Sequence, residues 1–86
     1  MPLGHNPQIQ ILDISNNQIS DLSPLANLRT LVSLLALGNQ IQNLSPIKEL
    51  HTLSSINLSF NQISDISPLS GLINLRELNI NNKSNN

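Results

Sequence analysis

The sequence repeats itself every 22 residues, and this period constrains the fold more than any other feature. The tripeptide Asn-Gln-Ile begins at Asn17, Asn39 and Asn61, and a Ser-Pro pair follows each copy at the same distance. Periods of roughly 20 to 50 residues are typical of solenoids, in which each unit packs only on its neighbours. We therefore predict a single domain over residues 1–86. Its units are expected at about 9–30, 31–52, 53–74 and, as a partial unit, 75–86.

Seven rows of apolar residues keep the same period and predict an inward face. Their members in the first unit are Ile9, Leu12, Ile14, Ile19, Leu22, Leu25 and Leu28. The spacing of the second and third rows puts two side chains on one face of a short strand. An amphipathic helical array is the alternative, but Pro and Asn recur in every unit and would break each helix. The pattern therefore favours a solenoid of short parallel strands.

Two polar positions mark where each unit turns. The Asn row follows the strand, where a buried amide can exchange hydrogen bonds with backbone groups of adjacent units. Ser23, Ser45 and Ser67 are interpreted as N-caps, each followed by Pro at the first position of a short helical or 3₁₀ turn.

Composition excludes several classes of function. Charged residues make up 10% of the chain and the net charge is −1, so no field attracts nucleic acid or an acidic membrane surface. The absence of Cys removes disulfides, thiolate metal ligands and thiol nucleophiles. No apolar run is long enough to span a membrane. We expect neither nucleic acid nor membrane as a partner.

Catalytic and metal-binding arrangements are not predicted either. A Ser nucleophile needs a positioned base, and the two histidines, His5 and His51, fall outside the predicted strands. Asp21 and Asp65 recur at the repeat spacing and are interpreted as loop residues before the Ser-Pro turn. The sequence predicts no enzyme activity, no cofactor and no metal site.

Two segments carry a family resemblance. NQISDLSPLANL, at residues 17–28, and NQISDISPLSGLINL, at residues 61–75, resemble the 22-residue leucine-rich repeats of bacterial internalins. They are also similar to the repeats of the nuclear regulator of protein phosphatase 1. The resemblance implies an α/β right-handed solenoid with a four-stranded, curved parallel sheet on the concave face and short 3₁₀ or helical turns on the convex face. It also implies a non-catalytic module that binds a protein partner through the concave face.

If the sheet forms, its outward positions include a small apolar patch. Val32, Leu35, Leu37 and Phe60 would lie on neighbouring strands. Grouped, exposed apolar side chains with a polar rim are typical of binding sites. We expect Leu35 and Leu37 to be exposed, and Phe60 to lie over Gly38 and fill a gap. The predicted partner-binding residues are Asp13, Val32, Leu35, Leu37, Asn57, Phe60, Arg76 and Asn79.

The ends of the repeat array leave alternatives open. A solenoid exposes core at both ends unless it is capped, which favours end-to-end self-association of a free-standing module. The chain would otherwise be a truncated fragment of a longer leucine-rich-repeat protein with no independent function. A regulatory subunit of an enzyme such as a phosphatase is a third reading.

Two residues depart from the repeat pattern, one at an inward position and one near the end of the sequence. Ala36 replaces a large inward residue, and Lys83 stands where the repeat has Asn. The N-terminal residues have no signal-peptide pattern. The expected location is cytoplasmic as the sequence is written, and extracellular if it is a fragment of a secreted internalin-like protein.

Overall fold

The computed structural model describes residues 8–81, which form a solenoid of short strands and 3₁₀ turns. We call residues 9–30, 31–52 and 53–74 coils 1, 2 and 3. The strands are β1 (Ile11–Asp13), β2 (Ser33–Leu35), β3 (Ser55–Asn57) and β4 (Glu77–Asn79). The 3₁₀ turns between them cover Ser23–Leu25, Ser45–Ile47 and Ser67–Gly71. The fold prediction is therefore confirmed.

The four strands form one open parallel sheet in the order β1-β2-β3-β4. Each residue pairs with the residue 22 positions later, as Leu12 does with Leu34. Backbone hydrogen bonds continue beyond the strands. The N–H of Ile14 donates to the carbonyl of Leu35 at 2.8 Å, and the N–H of Asn16 donates to the carbonyl of Leu37 at 2.8 Å. The 22-residue repeat of the sequence therefore sets the register in which adjacent strands pair.

The core is formed by the inward rows, and it is best covered in the middle coil. Leu34, Ile41 and Ile47 in coil 2 are fully buried. Ile9, Leu12 and the other inward residues of coil 1, except Leu22, are only partly buried. This gradient follows from one-dimensional stacking, because a terminal coil has a neighbour on one side only.

One inward position departs from the prediction. Ile66 belongs to the row of Leu22 and Leu44, yet 46% of its surface is exposed while theirs is 1% exposed. Within residues 8–81 no coil precedes coil 1, and Leu22 is nevertheless buried. The following coil therefore covers this row. Within residues 8–81, no convex turn follows coil 3, so Ile66 lacks its cover.

The Asn row connects adjacent coils through hydrogen bonds, as predicted. Asn39 donates from Nδ2 to the carbonyl of Ile14 at 3.0 Å and accepts at Oδ1 from the N–H of Ile19 at 3.1 Å. Asn61 donates to the carbonyl of Ala36 at 2.9 Å and accepts from the N–H of Ile41 at 3.0 Å. Both amides are buried. They supply partners to backbone groups that the solenoid removes from water.

A second row of side-chain donors lies on the opposite side of the coil and was not predicted. Thr30 Oγ1 donates to the carbonyl of Ile9 at 2.9 Å, and Thr52 Oγ1 donates to the carbonyl of Leu31 at 2.6 Å. Asn74 Nδ2 occupies the next position of the row and donates to the carbonyl of His51 at 2.8 Å. The bonds of Thr30 and Thr52 to Ile9 and Leu31 each lie within one coil. Thr52 Oγ1 also donates to the carbonyl of Arg29 at 3.0 Å, so this row joins coil 2 to coil 1 and, through Asn74, coil 3 to coil 2.

The N-cap prediction for the Ser-Pro turns is wrong. The Ser residues are the first residues of the 3₁₀ turns, Pro comes second, and no N-cap side chain makes a capping hydrogen bond. The acceptor lies two residues before each Ser. The Oδ1 atoms of Asp21, Asn43 and Asp65 accept from the backbone N–H of the following Ser at 2.9, 3.0 and 2.9 Å. These Asx turns are a local alternative to helix capping.

None of the helical turns within residues 8–81 has the length and apolar content needed to cross a lipid bilayer.

Candidate protein-binding face

The sheet has one face packed on the core and one face turned to solvent, which we call the open face. Period-two alternation along each strand assigns the side chains. In β1, Ile11 and Asp13 are exposed on either side of the half-buried Leu12, and the later strands repeat this arrangement. The register aligns the open-face residues into two rows. They are Ile11, Ser33, Ser55 and Glu77, and Asp13, Leu35, Asn57 and Asn79.

Of the four residues of the predicted apolar patch, two are exposed and two are half-buried. Val32 is 37% exposed and Phe60 is 49% exposed. Leu35 and Leu37 are half-buried, so the expectation that both are exposed is not met.

Ile11 lies on this face and was not among the predicted binding residues. It is 68% exposed, and it pairs with Ser33, two residues before Leu35. Diagonal neighbours on adjacent strands lie about 7 to 8 Å apart, within reach of long side chains. The signal was present in the sequence, since Ile11 is the one large apolar residue in a row otherwise made of Ser and Glu.

Phe60 has an unusual backbone conformation for an aromatic residue. Its φ is +61°, and the equivalent positions in the preceding coils, Asn16 and Gly38, have φ of +61° and +73°. Gly and Asn adopt the left-handed region readily, whereas other residues pay about 1 to 2 kcal/mol. About half of Phe60 is exposed, and the expectation that its ring lies over Gly38 and fills a gap stays a prediction. Strain of this kind is typical of positions kept for contact with a ligand or partner.

The patch is bordered by polar groups. The backbone N–H of Ser15 donates to Asp13 Oδ1 at 3.0 Å, and this bond lowers the pKa of the Asp13 carboxyl. Asn57 Oδ1 accepts from the N–H of Ser59 at 3.1 Å. On β4, the Glu77 carboxylate accepts from Ser55 Oγ at 3.3 Å.

The last two predicted rim residues, Arg76 and Asn79, are exposed at the β4 side of the face. The structure therefore brings all eight predicted residues to one sheet and its margins. The rim offers hydrogen-bond donors and acceptors without a dominant charge.

The described histidine and the recurring acids Asp21 and Asp65 lie outside the two open-face rows. His51 is exposed at the end of coil 2, away from the open face, and His5 lies outside the described residues. No group of three or more His, Cys, Asp or Glu residues within 8–81 is placed to hold a metal ion. Asp21 and Asp65 accept hydrogen bonds in their own turns, as their loop interpretation requires.

The parallel sheet, the inward Leu and Ile rows and the Asn ladder together define a leucine-rich-repeat solenoid. The chain belongs to the leucine-rich-repeat family, because the family's two-copy repeat model matches residues 7–49 and 51–86. Leucine-rich-repeat proteins generally mediate protein–protein interactions and are generally not enzymes. No curated protein is similar enough to count as a match.

Two solved structures of Listeria monocytogenes internalins are similar to the chain. Internalin C2 is 47% identical with a TM-score of 0.82, over 84% of this chain and 32% of that one. Internalin F is 38% identical with a TM-score of 0.77, over 81% of this chain and 21% of that one. The chain thus spans about a third or less of these relatives. The resemblance to internalin repeats is confirmed.

Proposed function

We propose that the chain is a non-catalytic module that binds a protein partner through the open, concave face of its sheet. The observation that carries this proposal is the group of accessible apolar side chains on that face. Ile11 and Phe60 are the most exposed members, and Leu35 lies between their strands. Exposed apolar side chains that are grouped and bordered by polar residues are typical of protein interaction sites.

The chemistry of the face limits the kind of partner. The apolar centre would take an aliphatic or aromatic side chain, and the neutral rim would bond to backbone and amide groups. Four strands spaced about 4.8 Å apart span only about 14 Å. This width suits one helix or one loop of a partner, since a helix with its side chains is about 10 to 12 Å across.

The proposal is tested by three single substitutions measured against a partner captured by photocrosslinking from the open face. Leu35→Asp and Leu37→Asp place a charge in the centre of the patch, and we expect each to weaken binding at least about tenfold. Ser20→Asp is the control, because Ser20 is exposed and belongs to no open-face row. Equal behaviour of the three variants would contradict binding by this face. It would favour the reading that the chain has no independent function.

A further inference from the structure

We propose that the groove between the 3₁₀ turns of coils 1 and 2 binds an acidic peptide segment of a protein partner. The groove lies on the convex side of the solenoid, away from the open face of the sheet, and we call it the convex groove. It has a volume of about 340 Å³. Its lining residues include Ala26, Arg29, Ser45, Pro46, Lys48 and Glu49.

The convex groove forms because equivalent positions of the two coils carry side chains of different length. Ala26 in coil 1 stands where coil 2 has Lys48, 22 residues later. Ala26 and Pro46 are half-buried and form the lower part of the groove, whereas Arg29, Lys48 and Glu49 are exposed. Both walls belong to coils within residues 8–81, and the groove lies between these coils.

The backbone beside the two cationic side chains is held by hydrogen bonds. The N–H of Arg29 donates to the carbonyl of Asn27 at 2.9 Å, and the N–H of Lys48 donates to the carbonyl of Ser45 at 3.1 Å. Thr52 Oγ1 donates to the carbonyl of Arg29 at 3.0 Å, which fixes the two coils to each other at this place. A backbone that is already ordered reduces the entropic cost of binding.

Three donor groups of the groove make no hydrogen bond or ion pair with the described residues. Two of them are the guanidinium of Arg29 and the ammonium of Lys48. The third is the hydroxyl of Ser45. In coil 1 the equivalent hydroxyl, that of Ser23, donates to Asp21 Oδ1 at 2.6 Å. Coil 2 has Asn in place of this acid, and the Asn accepts from the backbone N–H of Ser45 instead.

The charges of the groove favour a ligand with a carboxylate. Arg29 and Lys48 are two of the three Lys and Arg residues within 8–81, and Glu49 is the one acid beside them in the groove. Two cations and one acid leave a surplus of one positive charge, although the net charge of the whole chain is −1. A carboxylate accepts charge-assisted hydrogen bonds from both cations, and the Ser45 hydroxyl adds a further donor.

A peptide suits this groove better than a polyanion or a single ion. A nucleic-acid strand is bound by neutralising several phosphates, and two cations beside an acid are too few. A single ion gains little from exposed cations. A peptide adds backbone groups that can bond to the amide of Asn27 and the carboxylate of Glu49, which also line the groove. The volume is near the lower end of the about 300 to 1,000 Å³ of ligand sites, which suits one or two acidic side chains.

The test titrates a blocked tetraglutamate peptide, acetyl-Glu-Glu-Glu-Glu-amide, into the full-length ¹⁵N-labelled protein at about 0.15 M salt. We expect saturable amide shifts centred on Ala26, Arg29 and Lys48. The matched tetraglutamine peptide should produce no saturable shifts, since it has the same length and lacks the carboxylates.

Substitutions of exposed residues then test the geometry without disturbing the core. Arg29→Gln and Lys48→Gln should each weaken binding about two- to fivefold, the range of one exposed charge pair, and about tenfold together. Glu49→Gln should strengthen binding by a similar factor, because it removes a repulsive charge. Ser64→Asp is the control. It lowers the net charge by one unit, as Arg29→Gln does, at an exposed position outside the groove. Its affinity should be unchanged.

Several outcomes overturn the proposal. One is an absence of saturable shifts with tetraglutamate, and another is a set of shifts centred on Leu35 and Phe60 of the open face. Equal losses for Arg29→Gln and Ser64→Asp would show that only net charge matters. Inorganic phosphate is titrated as the last arm. If it shifts the same amides with the affinity of the peptide, the groove holds a simple anion and has no preference for a peptide.

Discussion

Asn61 and Ile41 are 20 residues apart in sequence, and the Oδ1 atom of the first accepts the backbone N–H of the second at 3.0 Å. The Nδ2 atom of the same Asn donates to the carbonyls of Ala36 and Leu58, each at 2.9 Å. One buried side chain therefore satisfies backbone groups in two coils. Its removal leaves several buried polar groups without partners.

We predict that Asn61→Ala lowers the free energy of unfolding by at least about 3 kcal/mol, since each buried group left unpaired costs about 1 to 3 kcal/mol. Asn17→Ala is the matched control. Asn17 is exposed, and among residues 8–81 its side chain donates to the carbonyls of Ile14 and Ser15 in its own coil. Its loss should cost about 1 kcal/mol or less. Urea unfolding followed by circular dichroism measures both. Similar costs at the two positions would contradict the bridging role of the Asn row.

Both its backbone conformation and the space around it restrict which residue can stand at Gly38. Its φ is +73°, and an added Cβ would collide with Asn16 Oδ1. We expect Gly38→Ala to destabilise the protein by about 1 to 2 kcal/mol or more, from the left-handed conformation alone. Gly71→Ala serves as the comparison, because nothing lies within 4 Å of its added Cβ. Its midpoint of thermal unfolding should be unchanged or slightly raised. A larger loss at Gly71 than at Gly38 would refute this interpretation.

Phe60 shares the left-handed conformation of Gly38 and Asn16, and this leads to an unusual stability prediction. Replacing a buried aromatic residue with a small one ordinarily costs about 3 to 5 kcal/mol. We expect Phe60→Asn to change the unfolding free energy by less than about 1 kcal/mol. Relief of about 1 to 2 kcal/mol of backbone strain offsets the lost burial of a half-exposed ring. Partner binding should fall. A stability loss above about 3 kcal/mol would show that the ring is a core residue.

The Asx turns predict how stability depends on pH. The Ser23 hydroxyl and then its N–H lower the pKa of Asp21, and the N–H and then the hydroxyl of Ser67 lower the pKa of Asp65. A lowered folded-state pKa means that the stabilising effect is complete above the ordinary Asp value of about 3.9. The effect is lost as pH falls through the lowered value. Stability should therefore decrease on acidification below about pH 4.

The chain contains its own control for this pH dependence, since Asn43 makes the same turn without titrating. The double variant Asp21→Asn, Asp65→Asn should keep both turns and fold at neutral pH. Its stability should vary less between about pH 5 and pH 2 than that of the parent. Thermal unfolding across this range measures the difference. An unchanged pH profile would mean that the two carboxylates do not contribute.

The repeat period was enough to predict the sheet order, its register and the inward rows, because in a solenoid one set of local interactions is copied at each step. Ile66 escaped prediction because its exposure depends on a neighbouring coil, not on its own repeat position. The Ser residues of the turns were misread as caps because the true acceptor, an Asx side chain, lies two residues earlier. The Ser and the Asx residue both recur every 22 residues, so the repeat period alone does not show which of the two side chains accepts the hydrogen bond.

The binding face was predictable in part. Strand alternation placed Leu35 and Asn57 on the same face, and the structure agrees. Their degree of burial was not predictable, since it depends on how closely adjacent strands shield each side chain. The left-handed φ of Phe60 was not predicted. The two equivalent residues, Asn16 and Gly38, are of types that adopt positive φ readily, but Phe is not, so the residue types did not indicate one shared conformation.

The strict register between Leu12 and Leu34, and between Leu34 and Ile56, has a consequence for how such a gene changes length. Duplication or loss of one whole unit leaves every remaining residue beside a neighbour of the same kind. Insertion of a single residue between Leu34 and Asn39 would reverse the strand alternation and carry the Asn side chain away from the carbonyl of Ile14. Length variation among descendants of this sequence is therefore expected in steps of one complete repeat.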